Sequence, residues 1–213
     1  MSADPIQFAA LLCSRLCHDL LSPVGALNNG LELLADETDP DMRDRCMELL
    51  NDSARTSANK LKFFRLAFGA AGGFGDEVPA HEIRSAIEGM FAANSRLTIG
   101  WLVAEERLDK RAAKVLLNLS LIAGEGMVRG GQLDIGAERR DGLVEIVVRG
   151  EGPKLVLDAE IRKAMSGDVG ESEVTARSAA AWMIRAIVEE AKGELMLSPP
   201  DDPLLLFGAS LPV

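Results

Sequence analysis

Basic residues are in deficit, long apolar runs are missing, and cysteines and histidines are few. Each shortage removes a class of function. Twenty-three lysines and arginines stand against 33 aspartates and glutamates, a formal net charge of −10. Binding a nucleic-acid backbone demands a basic face, so no nucleic-acid partner is expected. No apolar run approaches the roughly 18 residues that mark a membrane-spanning helix, so no membrane partner is expected. The start, Met1-Ser2-Ala3-Asp4-Pro5, has neither the basic nor the apolar region of a signal peptide. Three cysteines, Cys13, Cys17 and Cys46, are an odd number, each in a helix-patterned segment. That pattern argues for reduced thiols and a cytoplasmic location. No internal repeat or low-complexity segment is evident. What is present is a hydrophobic fraction of 47% over 213 residues, ample for the cores of one large or two small domains.

The first third is helical in texture. Over residues 6–34, Cys13, Cys17, Leu20, Val24, Leu27, Leu31 and Leu34 alternate in steps of four and three. That is the heptad seam of helices packed nearly parallel in a bundle. Asp36-Glu37-Thr38-Asp39-Pro40 forms a short polar turn, with Asp39 as cap and Pro40 at the first position of the next helix. That helix runs over 41–68, with Cys46, Leu49, Leu50, Leu61, Phe64 and Ala67 as apolar positions. Two long helices joined by a short turn make an antiparallel hairpin. A lone hairpin cannot bury both seams, so two copies are expected to form a four-helix bundle in a homodimer. Gly69-Ala70-Ala71-Gly72-Gly73-Phe74-Gly75 reads as a linker, dividing the chain into 1–73 and 74–213.

Beyond it the texture is mixed. Helices are predicted over 79–93, 109–127, 157–165 and 174–192, and strands over 96–103, 132–137, 143–148, 195–197 and 204–211. Asp141-Gly142 is the turn of a hairpin. Helices on one face of a mixed sheet make this an α+β chain with a C-terminal sandwich.

The chemistry concentrates in Cys17-His18-Asp19-Leu20-Leu21-Ser22-Pro23. A proline inside a helix costs on the order of 3 kcal/mol, so its presence needs a reason. It also removes the N–H that would bond the carbonyl of Asp19, and a local bend is expected. A neutral imidazole nitrogen is nucleophilic near neutral pH and suited to carrying phosphate. His18 lies one position off the seam, about 100° around the helix from Cys17, and is therefore reachable. Ser22, four residues on, shares its face and is placed to hydrogen-bond phosphoryl oxygens or water. Asp19 has two roles open to it: fixing the ring tautomer, or withdrawing the ring proton. A transferring phosphoryl group needs positive charge nearby. Arg15 is one candidate. Counting from the turn near Glu37 sets Thr56 opposite His18, bringing Lys60, and less directly Arg55 and Asn59, into range. Leu21, Ser22, Gly25 and Asn28 line the helix as a docking strip. A zinc site of Cys13, Cys17, His18 and Cys46 is the weaker alternative, since small thiols pack well in a seam. His81 reads as a solvated surface residue.

This box of His, acid, two residues, small polar residue and Pro resembles the phospho-acceptor box of two-component histidine kinases. The second half resembles their ATP-binding domain, the Bergerat fold. Lys114-Val115-Leu116-Leu117-Asn118-Leu119, the segment Ala181–Gly193 and the ending Phe207-Gly208-Ala209-Ser210-Leu211-Pro212 carry that likeness. Its working parts are missing. The magnesium-chelating second asparagine is Ile122. No aspartate-glycine pair follows the strand near Val148, where Arg149-Gly150-Glu151-Gly152-Pro153 stands. Thr175-Ala176-Arg177-Ser178-Ala179-Ala180 has no glycine to let backbone approach phosphates.

An intact acceptor box with a degenerate ATP site resembles the dimeric histidine phosphotransferases of the ChpT type, from the bacterial cell-cycle phosphorelay. The likeness spans nearly the whole chain and is most specific over Cys13–Gly30. It implies a phosphoryl group taken by His18 from the receiver aspartate of a hybrid kinase and given to the receiver aspartate of a response regulator. It also implies no bound cofactor, with Mg2+ supplied by the receiver. The rival readings are a divergent ATP-dependent histidine kinase and a non-catalytic dimeric scaffold for receiver domains.

Overall fold

Asp39 and Pro40 punctuate the N-terminal third as their chemistry requires. The computed structural model describes residues 5–69 and 75–212. Helix α1 (Pro5–Asp36) and helix α2 (Pro40–Ala67) form the hairpin. The Asp39 carboxylate accepts from the amides of Asp41 and Met42, with proline opening the helix. Gly30 is buried because a Cβ there would lie 3.0 Å from Leu50, so the two helices approach closely at this level.

The heptad seam divides into two stripes. Leu20, Leu27 and Leu34 are half-buried, whereas Cys13 and Cys17 are exposed and Val24 and Leu31 are 51% and 58% exposed. On α2, Met42, Met47, Leu49 and Leu61 are also exposed. One hairpin thus leaves a stripe of its apolar residues uncovered.

The far end of α2 is of a different character. Phe63, Phe64, Leu66 and Ala67 are at most 2% exposed and share one core with Ile83, Ile87, Leu116 and Leu119 of the C-terminal half. The Phe63 and Phe64 rings meet edge to face at 5.7 Å, a favourable aromatic arrangement. The expected linker lies outside the described residues except for Gly69 and Gly75.

The C-terminal half follows in the order β1 (Glu77–Pro79), α3 (Ala80–Phe91), β2 (Leu97–Val103), β3 (Arg107–Asp109), α4 (Lys110–Gly126), β4 (Gly131–Arg140), β5 (Leu143–Glu151), α5 (Ala159–Ser166), a 3-10 turn (Glu171–Glu173), α6 (Ala179–Glu190), β6 (Glu194–Leu197) and β7 (Leu205–Pro212). The main sheet has the order β2-β4-β5-β7-β6, with β2 and β4 parallel and the other neighbours antiparallel. Asp141 and Gly142 turn the β4–β5 hairpin with φ of 52° and 79°, the left-handed pair that a two-residue turn needs. Alternate residues such as Leu133, Ile135, Val144, Ile146, Val148, Phe207 and Ala209 are buried on one face. Helix α4 is buried almost throughout, from Ala112 to Gly124, apart from the partly exposed Lys114. The chain is α+β, as its texture predicts.

Two details differ from the sequence reading. Helix α6 starts at Ala179, not 174, because Ser178 donates to Glu160 at 2.7 Å and accepts from the Thr175 amide at 3.1 Å. These bonds hold the segment in a turn. The antiparallel β1–β3 pair, Glu77 to Pro79 against Asp109 to Arg107, is an addition to the expected strands. Among the described residues no helix is long and apolar enough to cross a membrane.

Candidate functional site

His18 projects from α1 with its side chain 83% exposed, while its neighbour Asp19 is 13% exposed and turned inward. His18 Nδ1 and Asp19 Oδ1 are 3.3 Å apart. An ionised carboxylate only accepts, so in a neutral ring this contact favours the tautomer with its proton on Nδ1 and its lone pair on Nε2. The other carboxylate oxygen, Oδ2, accepts from Arg15 Nε at 2.8 Å, one helical turn back. Arg15 in turn donates through Nη2 to Glu125 of α4. Four side chains are therefore joined in sequence: His18, Asp19, Arg15 and Glu125.

Partial burial pushes the Glu125 carboxyl up from its ordinary range, against the pull of Arg15. Burial works to lower the Arg15 guanidinium, but Glu125 and Asp19 outweigh it and the net direction is upward. Arg15 thus stays charged between two acids at the junction of α1 and α4.

Pro23 is buried within an unbroken α1. The Asp19 carbonyl that it leaves without an amide partner accepts instead from Lys60 Nζ at 2.8 Å. The pairing of Asp19 with Lys60 and of Gly30 with Leu50 sets the hairpin register. Level with His18 stands the turn around Lys60 and Leu61, beyond the Thr56 reached by equal counting.

The remaining expected residues are placed as follows. Ser22 is exposed four residues from His18, Leu21 is 71% exposed, and a Cβ on Gly25 would meet nothing within 4 Å. Asn28 is exposed and donates to Glu32 at 2.7 Å. Leu21, Ser22, Gly25 and Asn28 thus form one open strip beside His18. Arg55 is solvated, paired with Asp52 at 3.2 Å. Asn59 packs on Gly89 of α3, away from the imidazole. His81 is exposed, 3.7 Å from Glu82. Cys13 and Cys17 are exposed and Cys46 is buried. Among the described residues no group of three or more His, Cys, Asp or Glu side chains is arranged to hold a metal ion.

The residues that carry the likeness to an ATP-binding domain are placed as follows. Asn118 is fully buried, with Nδ2 donating to the carbonyls of Lys114 at 2.8 Å and Ala67 at 3.3 Å. It ties α4 to the end of α2. Ile122 belongs to the core. Arg149 is paired with Asp134 and Glu151 on the outer face of the sheet.

Glu125 is the site residue that sequence reasoning missed. It lies 110 positions from Arg15, and a glutamate near the end of a buried helix carries no motif.

An open imidazole with an ordered acid behind it, on a helical hairpin joined to an α+β domain, defines a histidine phosphotransfer protein. The family model described as Histidine phosphotransferase C-terminal domain matches residues 80–203. The Protein phosphotransferase ChpT of Brucella abortus (strain 2308) is 36% identical over 191 residues, covering 90% of each protein. A solved bacterial phosphotransferase superposes with a TM-score of 0.84 at 31% identity, over 98% of both chains. The catalytic domain of histidine kinase ThkA has a TM-score of 0.47 at 19% identity, over 64% of this chain and 94% of that one. The chain belongs to the ChpT-type histidine phosphotransferases. It is a phosphotransferase, a shuttle of the phosphorelay.

Proposed function

We propose that His18 is the phosphoryl carrier, loaded from the receiver aspartate of a hybrid histidine kinase and unloaded onto the receiver aspartate of a response regulator. The observation that carries this is the exposed imidazole whose Nδ1 faces the inward-turned Asp19, so that Nε2 meets solvent. In the forward step the Nε2 lone pair attacks the aspartyl phosphate in line. An N–P bond forms, the P–O bond to the receiver breaks, and the receiver carboxylate leaves with the electron pair. The ring keeps its Nδ1 proton, and Asp19 balances the positive charge of the phosphoimidazolium. The second receiver reverses these changes.

Leu21, Ser22, Gly25 and Asn28 form the strip on which the receiver docks. Ser22 supplies a hydroxyl one turn from the imidazole. Lys60 contributes positive charge beside the acceptor, with two of its three N–H groups free of the Asp19 carbonyl. Arg15 acts through Asp19 in this account, because its Nε and Nη2 donate to carboxylates. Magnesium belongs to the receiver, where it neutralises the developing charge; no residue of this chain is assigned to it.

The protein works as a homodimer in the cytoplasm. A second hairpin laid on Val24, Leu31, Met42, Leu49 and Leu61 completes a four-helix bundle, and burying the exposed half of each such side chain contributes about 1 kcal/mol. Loading from ATP is not part of the activity. Ile122 in place of a chelating group and the side chains along Thr175–Ala180 support that reading.

The test is a relay from one labelled phospho-receiver to a second receiver. The wild-type chain is expected to pass label and His18→Ala to pass none. Relay by His18→Ala would establish a scaffold instead. Labelling of His18 from ATP and magnesium alone would establish a kinase.

A further inference from the structure

We propose that Glu125 is a positioning residue for phosphotransfer, a C-terminal-domain carboxylate that orients the acceptor imidazole through Arg15 and Asp19. The inference rests on His18 being the acceptor.

Helix α1 leans on the C-terminal half at two levels. The ring of Phe8 lies 4.8 Å from that of Trp182 on α6, and further along Arg15 reaches Glu125 on α4. Leu16, next to Arg15, packs against the main core. The first contact is apolar and fixes where the helix lies. The second is a charged fork with direction. Arg15 Nε points at Asp19 Oδ2 and Nη2 points at Glu125 Oε1. A guanidinium is rigid and planar, so fixing one N–H direction fixes the other.

This matters because, among the described residues, Asp19 has no other side-chain partner that sets its rotamer. Its Oδ1 is 3.3 Å from the ring nitrogen, and its Oδ2 has the Arg15 Nε. An arginine anchored only on its own helix would be free to swing toward solvent or toward an incoming phosphoryl group. Asp19 would then lose the contact that aims Oδ1 at Nδ1, and the imidazole would exchange between tautomers. In the wrong tautomer the proton sits on Nε2, and the nucleophilic lone pair points back at the helix. The charged groups that face the imidazole and its acid are Asp19 and Arg15 on α1, Lys60 on α2 and Glu125 on α4. Glu125 is the acid among them that lies outside the hairpin. It lets the C-terminal domain set the geometry of a residue it does not touch.

The test uses the full-length chain with Glu125→Ala and Glu125→Gln. Single-turnover transfer from a saturating phosphorylated receiver is measured together with receiver affinity. The proton position on His18 is read by nitrogen-15 NMR of the free protein. Glu125→Ala is expected to transfer about tenfold to a hundredfold more slowly, with receiver affinity unchanged and a gain in the Nε2-protonated tautomer. Glu125→Gln keeps an oxygen for Arg15 Nη2, so it is expected to restore most of the rate and the wild-type tautomer. An unchanged tautomer in the alanine variant overturns the proposal, as does a wild-type rate. Parallel loss of affinity and rate, with no change at the ring, also overturns it and makes Glu125 a structural strut. The NMR arm needs no phosphate. If the wild-type chain itself takes no phosphoryl group, the acceptor reading fails and the tautomer result still decides the role of Glu125.

Discussion

The bond from Lys60 Nζ to the Asp19 carbonyl has a consequence that a double-mutant cycle can measure. Pro23 strips that carbonyl of its helical amide partner, and Lys60 replaces the amide at 2.8 Å. Lys60→Met keeps most of the stem that packs against the hairpin but removes the donor. A hydrogen bond from a charged donor contributes about 1.5–3 kcal/mol, and a partly buried acceptor left without a partner loses it. We take about 1.5 kcal/mol, because the lysine is half-exposed. Pro23→Ala restores an N–H four residues beyond Asp19. In that background the amide takes the carbonyl, and the lysine substitution should then cost under about 0.5 kcal/mol. The two changes should therefore couple by about 1 kcal/mol, well beyond the usual departure from additivity. Urea unfolding at one fixed protomer concentration reads this. Lys60→Met should lower the midpoint by roughly 0.5–1 M when Pro23 is present and by much less when combined with Pro23→Ala. Attraction between Lys60 and Glu125 is lost in both backgrounds and cancels. Equal midpoint shifts would refute the reasoning.

Further outcomes follow from the same geometry. Asp19→Asn should slow transfer by about 10²-fold or more, because its amide group can donate to Nδ1 and move the ring proton to Nε2; circular dichroism should show an unchanged fold. Phe64→Ala should cost about 3–5 kcal/mol, since Phe64 is 1% exposed in the core shared by α2 and the C-terminal half. Its unfolding should show loss of both halves together. The hydrogen bond from Arg139, aided by Arg107, holds the Glu77 carboxyl below its usual range. That contribution is present above the unfolded carboxyl pKa and is lost as pH falls through the folded one. Glu77→Gln should therefore be less stable than wild type at neutral pH, with the gap closing on acidification, as read from urea midpoints across pH.

Legibility tracked how local each determinant was. The hairpin was readable because its heptad, Asp39 cap and Pro40 are contiguous signals. So was the β4–β5 hairpin, where Asp141-Gly142 supplies two left-handed residues. Three-residue strands have too few positions to show alternation, so β1 and β3 stayed hidden between α2, α3 and α4. The start of α6 was misplaced because Glu160, on another helix, holds Thr175 and Ser178 in a turn. Hairpin register failed by equal counting, since close packing of Gly30 on Leu50 decides it. At the site, His18, Asp19 and Ser22 announced themselves as one motif on one helix. What Arg15 does was not readable, because its second partner is on α4. Its charge suggests a phosphate contact, and its Nε and Nη2 are engaged by Asp19 and Glu125.

The most direct test of the central claim is to load the chain from a phosphorylated receiver and locate the phosphorus by phosphorus-31 and nitrogen-15 NMR. The account expects a single acid-labile phosphoramidate on Nε2 of His18, with the proton still on Nδ1 beside Asp19. Phosphate on Nδ1, on another residue, or on no residue of the chain would contradict it.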